Sequence, residues 1–327
     1  MGIICSFNRG CNGCLAFVSK KSSMAKVFNR PRALMVEPTN YCNLSCPLCP
    51  TGSGELGVPR GYMDTQKYKA LVDELAPYLE EMNLWGFGEP MLHKDIYEMI
   101  SYASAKGIDT RISTNGHFFK TKRDAEHVVE SGLYKMRISL DGVSQETLVK
   151  YRRNASFESI LDGIRRINKI KKLKKTKKPI LVFQFIVMKH NEHEIDKASK
   201  MATELKMRLV LKPVSVGRTL EEATAYLPDN KNYSKYDYGN DKIVKGAGVP
   251  QPRICPFPWD WAHVNWDGSV VPCCKDPQRQ HPLGNAFEQG GFLKIWNSKE
   301  YVRFRKIYLT DRSLHALCKK CVLPAKV

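Results

Sequence analysis

The chain has 327 residues, 43% of them hydrophobic and 26% charged, and a formal net charge of +19 at pH 7. This is the composition of an ordinary globular protein. No apolar run reaches the ~18 residues of a membrane span, and the first residues lack the charged and apolar regions of a secretory signal. Eleven cysteines without such a signal indicate metal or redox ligands rather than disulfides, so we expect a reducing cytoplasm.

The length favours one large domain plus a smaller one. Residues 1–32 precede the first clear strand pattern and form a basic, poorly periodic segment. We expect an N-terminal tail whose Cys5, Cys11 and Cys14 are free thiols. The alternative is that these thiols bind a further cluster or metal.

A cysteine-rich loop follows an apolar run, Ala33 to Val36. Cys42, Cys46 and Cys49 have the spacing C-x3-C-x2-C. Three thiolates can hold three irons of a [4Fe–4S] cluster and leave the fourth iron open. Three buried or zinc-binding thiols are the alternative, although structural zinc requires four ligands.

From residue 33 to about residue 215, short apolar runs alternate with amphipathic helical patterns. The predicted strands are 33–37, 83–87, 110–114, 135–140, 180–187 and 208–213. The predicted helices are 64–81, 95–106, 122–131, 157–173 and 192–206. Strand and helix in repeated alternation predict right-handed crossovers and a parallel sheet.

Short polar motifs end three successive strands after the cysteine loop. The first is Gly86-Phe87-Gly88-Glu89-Pro90, and the next two contain Ser113 with Asn115 and Ser139 with Asp141. Parallel barrels carry their chemistry at the C-terminal strand ends, so we expect these residues to lie at one site. Each motif alone also fits an Asx turn or a helix cap.

Together these features resemble the radical S-adenosylmethionine (radical SAM) superfamily. The resemblance implies a partial (β/α)6 barrel over residues 33–215, a first [4Fe–4S] cluster on Cys42, Cys46 and Cys49, and SAM at its open iron. Cleavage of SAM then gives a 5′-deoxyadenosyl radical that abstracts hydrogen from substrate. By resemblance the SAM-binding residues are Gly86, Gly88, Glu89, Ser113, Asn115, Ser139 and Asp141.

A basic run from Arg165 to Lys178 holds nine basic residues and no acids. Phe157, Ile160, Leu161, Ile164, Ile167 and Leu173 recur at helical spacing before and through it. We expect a helix with one buried stripe and a solvated basic face. The alternative is contact with an anionic partner: a membrane surface, a phosphorylated or nucleotide-linked substrate, or nucleic acid.

Residues 216–254 are rich in glycine, proline and tyrosine without a clear period, and we expect a connector that crosses the barrel mouth. A second cysteine set follows in residues 255–327: Cys255, Cys273, Cys318 and Cys321. Asp267-Gly268 predicts a hairpin turn between them, and residues 292–308 predict a helix. The adjacent Cys274 is interpreted as a spare thiol.

This second set resembles the C-terminal SPASM/twitch modules of radical SAM enzymes, in the short form with one cluster. It implies a second, auxiliary [4Fe–4S] cluster in a small domain, ligated at every iron by the four cysteines. A zinc ribbon is the alternative, because four thiolates also suit tetrahedral zinc.

A fully ligated auxiliary cluster has no free site for substrate, which indicates electron transfer. We therefore expect a two-electron oxidation of a sugar- or cyclitol-like metabolite, with the auxiliary cluster as electron acceptor. The base is not assigned; Lys212, Arg218, Asp260 and His263 are candidates by position. The expected partners are a small-molecule substrate, anionic ones included, and a one-electron donor such as flavodoxin or ferredoxin; nucleic acid is not expected. The alternatives are a peptide- or protein-modifying SPASM maturase and a non-enzymatic electron carrier or RNA-binding protein.

Overall fold

The computed structural model of the chain describes residues 2–216, 220–239, 242–245, 255, 257–288, 290–319 and 321. No helix in this part of the chain is long and apolar enough to cross a membrane. Arg218, one of the candidate bases, lies outside the described residues, as does part of the predicted connector.

Eleven helices occur in the described residues, in addition to short 3-10 turns. They are α1 (Gly2–Lys21), α2 (Thr65–Leu75), α3 (Ile96–Ala105), α4 (Lys122–Glu130), α5 (Gln145–Tyr151), α6 (Phe157–Leu173), α7 (Ile195–Glu204), α8 (Leu220–Tyr226), α9 (Phe292–Trp296), α10 (Lys299–Asp311) and α11 (Ala316–Lys319).

Eleven strands occur in the same residues. They are β1 (Ala33–Val36), β2 (Glu81–Leu84), β3 (Asp109–Thr114), β4 (Lys135–Ser139), β5 (Ile180–Val187), β6 (Arg208–Pro213), β7 (Tyr236–Gly239), β8 (Lys242–Lys245), β9 (Trp261–Val264), β10 (Ser269–Val271) and β11 (Gly284–Asn285). The predicted alternation of strand and helix over residues 33–215 is therefore present, and α5 is the helix that the periodicity did not predict.

The chain divides into two compact units. The first comprises the described residues within Met1–Tyr41, Leu56–Arg111 and Pro252–Val327, and the second those within Cys42–Glu55 and Ile112–Gln251. The cysteine loop thus belongs to the second unit, whereas the glycine motif at 86–89 and the C-terminal cysteines belong to the first.

In the first unit the strands run in the order β11-β10-β9-β1-β2. β1 pairs in parallel with β2 on one side and with β9 on the other, and β9 pairs antiparallel with β10. The predicted hairpin at Asp267-Gly268 is confirmed, and Gly268 has φ +86°, a left-handed conformation that favours glycine. The parallel pairing of β9 with the first strand was not predicted.

In the second unit β4, β5 and β6 are parallel neighbours. Their core is apolar: Ile138, Phe183 and Phe185 are fully buried, and so are Ile160, Ile164 and Ile167 of α6. The bounds of α6 agree with the prediction, but Leu173 is 64% exposed and Ile170 takes its place in the buried stripe.

Several predicted elements are wrong in detail. The helix predicted over 64–81 ends at Leu75, and the strand predicted over 83–87 lies at Glu81–Leu84. Residues 2–21 form a helix rather than an irregular tail, and residues 292–308 form two helices rather than one. The break between α9 and α10 lies at Asn297 and Ser298. The Asn297 side chain accepts the Val27 N–H and donates to the Val27 carbonyl, and the Ser298 hydroxyl caps α10 by accepting the Tyr301 N–H.

Candidate active site

The cysteine loop of the second unit carries three thiols on one short segment. Cys46 is buried, Cys42 and Cys49 are half-buried, and none of them forms a disulfide. The Cys49 N–H donates to the Cys46 carbonyl at 3.1 Å. Gly52 packs on the same loop so closely that a Cβ there would lie 2.5 Å from the Cys46 nitrogen. Free thiols on a tight loop fit the ligand set of an iron–sulfur cluster.

Arg152, at the end of α5, links this loop to the end of β4. Its Nε donates to Asp141 Oδ2 at 2.6 Å, and its Nη1 donates to Cys46 Sγ at 3.7 Å. Burial raises the pKa of the Cys46 thiol, and the positive charge of Arg152 opposes that effect. Arg152 therefore favours the thiolate form that binds iron, although its sequence context gave no such signal.

The second oxygen of Asp141 is also occupied, because Oδ1 accepts the Ile186 N–H at 2.7 Å. Asp141 is fully buried. We therefore interpret Asp141 as the partner that holds Arg152 in place, whereas the sequence predicted a direct contact to SAM.

Asn115, Ser139 and Ser113, the other polar residues at the strand ends of the second unit, differ in their contacts and burial. Asn115 donates from Nδ2 to Asn43 Oδ1 at 2.7 Å, so the end of β3 reaches the cysteine loop. Ser139 is buried and accepts from Gln184 at 3.2 Å. Ser113 is half-buried. The structure therefore joins Asn115 to the cysteine loop, while roles for Ser113 and Ser139 in SAM binding stay predictions.

The glycine motif of the first unit is packed against the chain that follows β1. A Cβ on Gly86 would lie 2.3 Å from Glu37 Oε2, and one on Gly88 would lie 2.2 Å from the Thr39 carbonyl oxygen. The Glu89 N–H donates to the Tyr41 carbonyl at 2.8 Å, and Glu89 Oε1 accepts the Met91 N–H at 3.1 Å. Gly88 is therefore required by the close approach of the backbone at Thr39 and Tyr41, and Gly86 by the close approach of the Glu37 side chain; their contact with SAM stays a prediction.

Glu37 connects this motif to the C-terminal hairpin. It accepts the Phe87 N–H at 2.9 Å and lies 3.3 Å from Arg279 Nη2, while Nη1 of the same arginine pairs with Asp267. Burial raises the pKa of Glu37, and the Phe87 N–H and Arg279 oppose that effect. The Glu37–Arg279 pair was not predicted, because 242 residues separate its members.

The four C-terminal cysteines all lie in the first unit. Burial raises the pKa of Cys255 to about 12, with contributions from Cys321 and Cys318. Burial also raises the pKa of Cys273, with contributions from Cys274, Cys255 and Cys318. None of Cys255, Cys273, Cys318 and Cys321 forms a disulfide, and their service as one ligand set stays a prediction. Cys274 lies beside this group, whereas Cys11 and Cys14 are exposed on α1.

The candidate bases differ in their surroundings. Lys212 is exposed on β6, and Asp260 is 8% exposed and pairs with Lys20. His263 is 1% exposed. Burial, followed by the nearby Arg279, lowers the pKa of His263 to about 4. His263 is thus a neutral imidazole at pH 7, and no single base is selected by these observations.

Two regions of the chain match known protein families. Residues 36–202 match the family model of the radical SAM superfamily, which is just over half of the chain. The chain belongs to the radical SAM superfamily. Residues 255–322 match SPASM, an iron–sulfur cluster-binding domain. The cofactors of this radical SAM enzyme are therefore a [4Fe–4S] cluster, SAM and an auxiliary iron–sulfur cluster. Its fold is the mixed α/β partial barrel with a C-terminal SPASM domain.

Its curated relatives have several activities. It is 31% identical over 183 residues to an AdoMet-dependent heme synthase of Methanosarcina barkeri, a match that spans 56% of this chain and 50% of that protein. It is 26% identical over 314 residues to the tungsten-containing aldehyde ferredoxin oxidoreductase cofactor-modifying protein of Pyrococcus furiosus (89% and 87% covered). The mycofactocin maturase MftC of Mycolicibacterium smegmatis is 26% identical over 295 residues (84% and 72% covered).

Two solved structures share the fold. Streptococcus suis SuiB bound to S-adenosylmethionine superposes with a TM-score of 0.66 at 17% identity, covering 93% of this chain and 75% of SuiB. BtrN in complex with AdoMet and 2-DOIA gives 0.54 at 20% identity, covering 90% of this chain and 93% of BtrN. The activities of these relatives differ, so the substrate of this radical SAM enzyme is a matter for proposal.

Proposed function

We propose that this radical SAM enzyme carries out a two-electron oxidation of an alcohol or amine carbon on a sugar- or cyclitol-like metabolite. The observation that carries the proposal is the match of residues 255–322 to an iron–sulfur cluster-binding domain, in which Cys255, Cys273, Cys318 and Cys321 offer one thiol for each iron of an auxiliary [4Fe–4S] cluster. A cluster ligated at every iron has no open position for substrate, so electron transfer is the role left to it.

The atoms and electrons balance as follows. When bound, SAM and the first cluster supply a 5′-deoxyadenosyl radical that removes one hydrogen atom, and the auxiliary cluster supplies an acceptor for the remaining electron. A base on the protein takes the proton, and the carbon is left oxidised by two electrons. The residues of the chain hold these groups: Cys42, Cys46 and Cys49 the first cluster, and the four C-terminal cysteines the second.

An external electron donor is part of the proposal, because each cleavage of SAM consumes one electron. A small iron–sulfur or flavin protein, such as ferredoxin or flavodoxin, is the class of donor that we propose. The net charge of +19 favours a donor or a substrate with negative charge.

A peptide or protein maturase is the second candidate. It is supported by the relatives, since the mycofactocin maturase MftC matches 84% of this chain. The genes beside this one separate the two candidates: a short precursor peptide supports the maturase, and sugar-processing enzymes support the oxidation.

The experiment that tests the main proposal is a Cys318→Ala, Cys321→Ala double variant supplied with chemical reductant. SAM cleavage depends on the first cluster, so 5′-deoxyadenosine should still form, whereas oxidised product should nearly vanish. Circular dichroism and the iron retained at the first site control for unfolding, since metal binding is coupled to folding. Product formed at the parent rate by a folded double variant would contradict the role of the auxiliary cluster as electron acceptor.

A further inference from the structure

One face of α10 and the residue after it carry four buried hydrogen-bonding side chains. We call them the donor stripe: Tyr301, Arg305, Tyr308 and Arg312. Their successive spacings of four, three and four residues place them on one side of the helix. They are 0%, 0%, 3% and 4% exposed, respectively, although aromatic hydroxyls and guanidinium groups are costly to bury without partners.

Two members of the donor stripe bond the backbone of the C-terminal cysteines. The Tyr308 hydroxyl accepts the Cys255 N–H at 3.3 Å, and Arg312 Nη2 donates to the Cys321 carbonyl at 3.3 Å. The charge of Arg312 also opposes the burial that raises the pKa of Cys255 and Cys318. Tyr301 lies two turns before Tyr308 on the same buried face of α10. Burial raises the pKa of Tyr301, and Cys273 and Cys255 add to that effect.

Two donor atoms of the stripe lack a partner in the described part of the chain: the Tyr301 hydroxyl and Arg305 Nη2. Arg305 is held by the Pro258 carbonyl at 2.6 Å and by the rings of Trp296 and Tyr301, and no carboxylate pairs with it among the described residues. A buried cation and a buried hydroxyl of this kind require a negative, hydrogen-bond-accepting neighbour. The sulfurs of a thiolate-ligated cluster have both properties, which is why these residues fit an iron–sulfur group at this place.

We propose that Tyr301 and Arg312 raise the reduction potential of the auxiliary cluster, so that it accepts the substrate electron. Reduction adds one negative charge to a cluster that is already anionic. A hydroxyl donor and a fixed cation beside its cysteines stabilise the reduced form more than the oxidised form. The role of the higher potential, acceptance of the substrate electron, rests on the proposed function. The potential itself depends only on the chain and its cluster and is measured without substrate.

The test is a redox titration of the full chain, followed by electron paramagnetic resonance and without substrate. Cys42, Cys46 and Cys49 are first changed to alanine so that only the auxiliary cluster contributes to the signal. In this background Tyr301→Phe and Arg312→Gln should each shift the midpoint potential to more negative values. Arg303→Gln is the matched control: Arg303 lies on the exposed side of the same helix and its replacement should leave the potential unchanged.

A conservative replacement of Arg312 separates an effect on the reduction potential from an effect on the fold. Arg312→Lys keeps the positive charge, so it should hold the potential closer to that of the parent than Arg312→Gln does. If Arg312→Gln loses its iron, Tyr301→Phe and Arg312→Lys decide the matter, with loading checked at about four irons per chain. Potentials for Tyr301→Phe and Arg312→Gln equal to that of Arg303→Gln would overturn the proposal. Because no substrate is present, this outcome differs from a failure of the proposed oxidation.

Discussion

At the scale of single residues, Gly88 is the position where the structure leaves least room. A Cβ there would lie 2.2 Å from one backbone oxygen and 2.7 Å from another, those of Thr39 and Tyr41. We expect Gly88→Ala to displace the motif at 86–89 and to weaken SAM binding by about tenfold or more, which corresponds to ~1.4 kcal/mol. Equilibrium binding of SAM to the reconstituted protein measures this.

Gly10→Ala is the matched control for that change. Gly10 lies in α1 with nothing within 4 Å of the added carbon, so the substitution should leave SAM binding unchanged. Normal SAM affinity in Gly88→Ala would show that the motif tolerates a shift of its backbone and that its glycines are not required for the ligand.

Asp141 and Arg152 allow a second test at this scale. Their side chains are 0% and 15% exposed, and loss of one partner leaves a charge without compensation. Asp141→Asn should lower the free energy of unfolding by about 3–5 kcal/mol. The double variant Asp141→Asn, Arg152→Met should recover part of that loss, because it also removes the cation.

Urea unfolding of the reconstituted variants measures both values. Parent stability in Asp141→Asn together with weak SAM binding would support the direct SAM contact that the sequence predicted, and would remove our interpretation of Asp141 as the partner of Arg152. The sequence identified Asp141 as a strand-end acid but could not find Arg152, because no periodic pattern joins the two positions.

At the scale of elements, α6 and the basic residues after it carry some cations that pair with carboxylates and others that are exposed to solvent. Lys174 pairs with Glu130 at 2.7 Å, and Arg165 pairs with Glu158 at 2.9 Å. Lys169, Lys172, Lys175 and Lys177 are exposed. We expect their replacement by glutamine to leave turnover unchanged, as for a solvated face. Binding to anionic vesicles that is lost in this variant and falls with salt would instead show a partner surface, since exposed charges are screened within ~10 Å at 0.1 M.

The elements were predictable where periodicity is strong and local. The bounds of α6, β5 and β6 agree with the sequence pattern, since their apolar spacing alone decides them. α1 was missed because its polar residues are satisfied by distant groups: Asn12 is buried and bonds Arg30 through both its carbonyl oxygen and its amide nitrogen. No window of neighbouring residues contains that information.

At the scale of the whole molecule, the two cysteine sets predict the iron content. After anaerobic reconstitution the chain should hold about eight irons, and the variant with Cys42, Cys46 and Cys49 changed to alanine should hold about four. Iron and acid-labile sulfide assays check both numbers. Zinc in the C-terminal set, or no iron lost in the triple variant, would contradict the assignment.

The position of β1 between β2 and β9 has a consequence for biosynthesis. While the ribosome is still making the chain, the edge of β1 that later receives β9 has no strand to pair with, because β9 begins only at Trp261. An unpaired edge of a sheet is a template for aggregation, so the nascent protein is most vulnerable before β9 has been made. Chains that end before Trp261 should therefore be insoluble, even though they keep the cysteine loop of the first cluster and the strands around it.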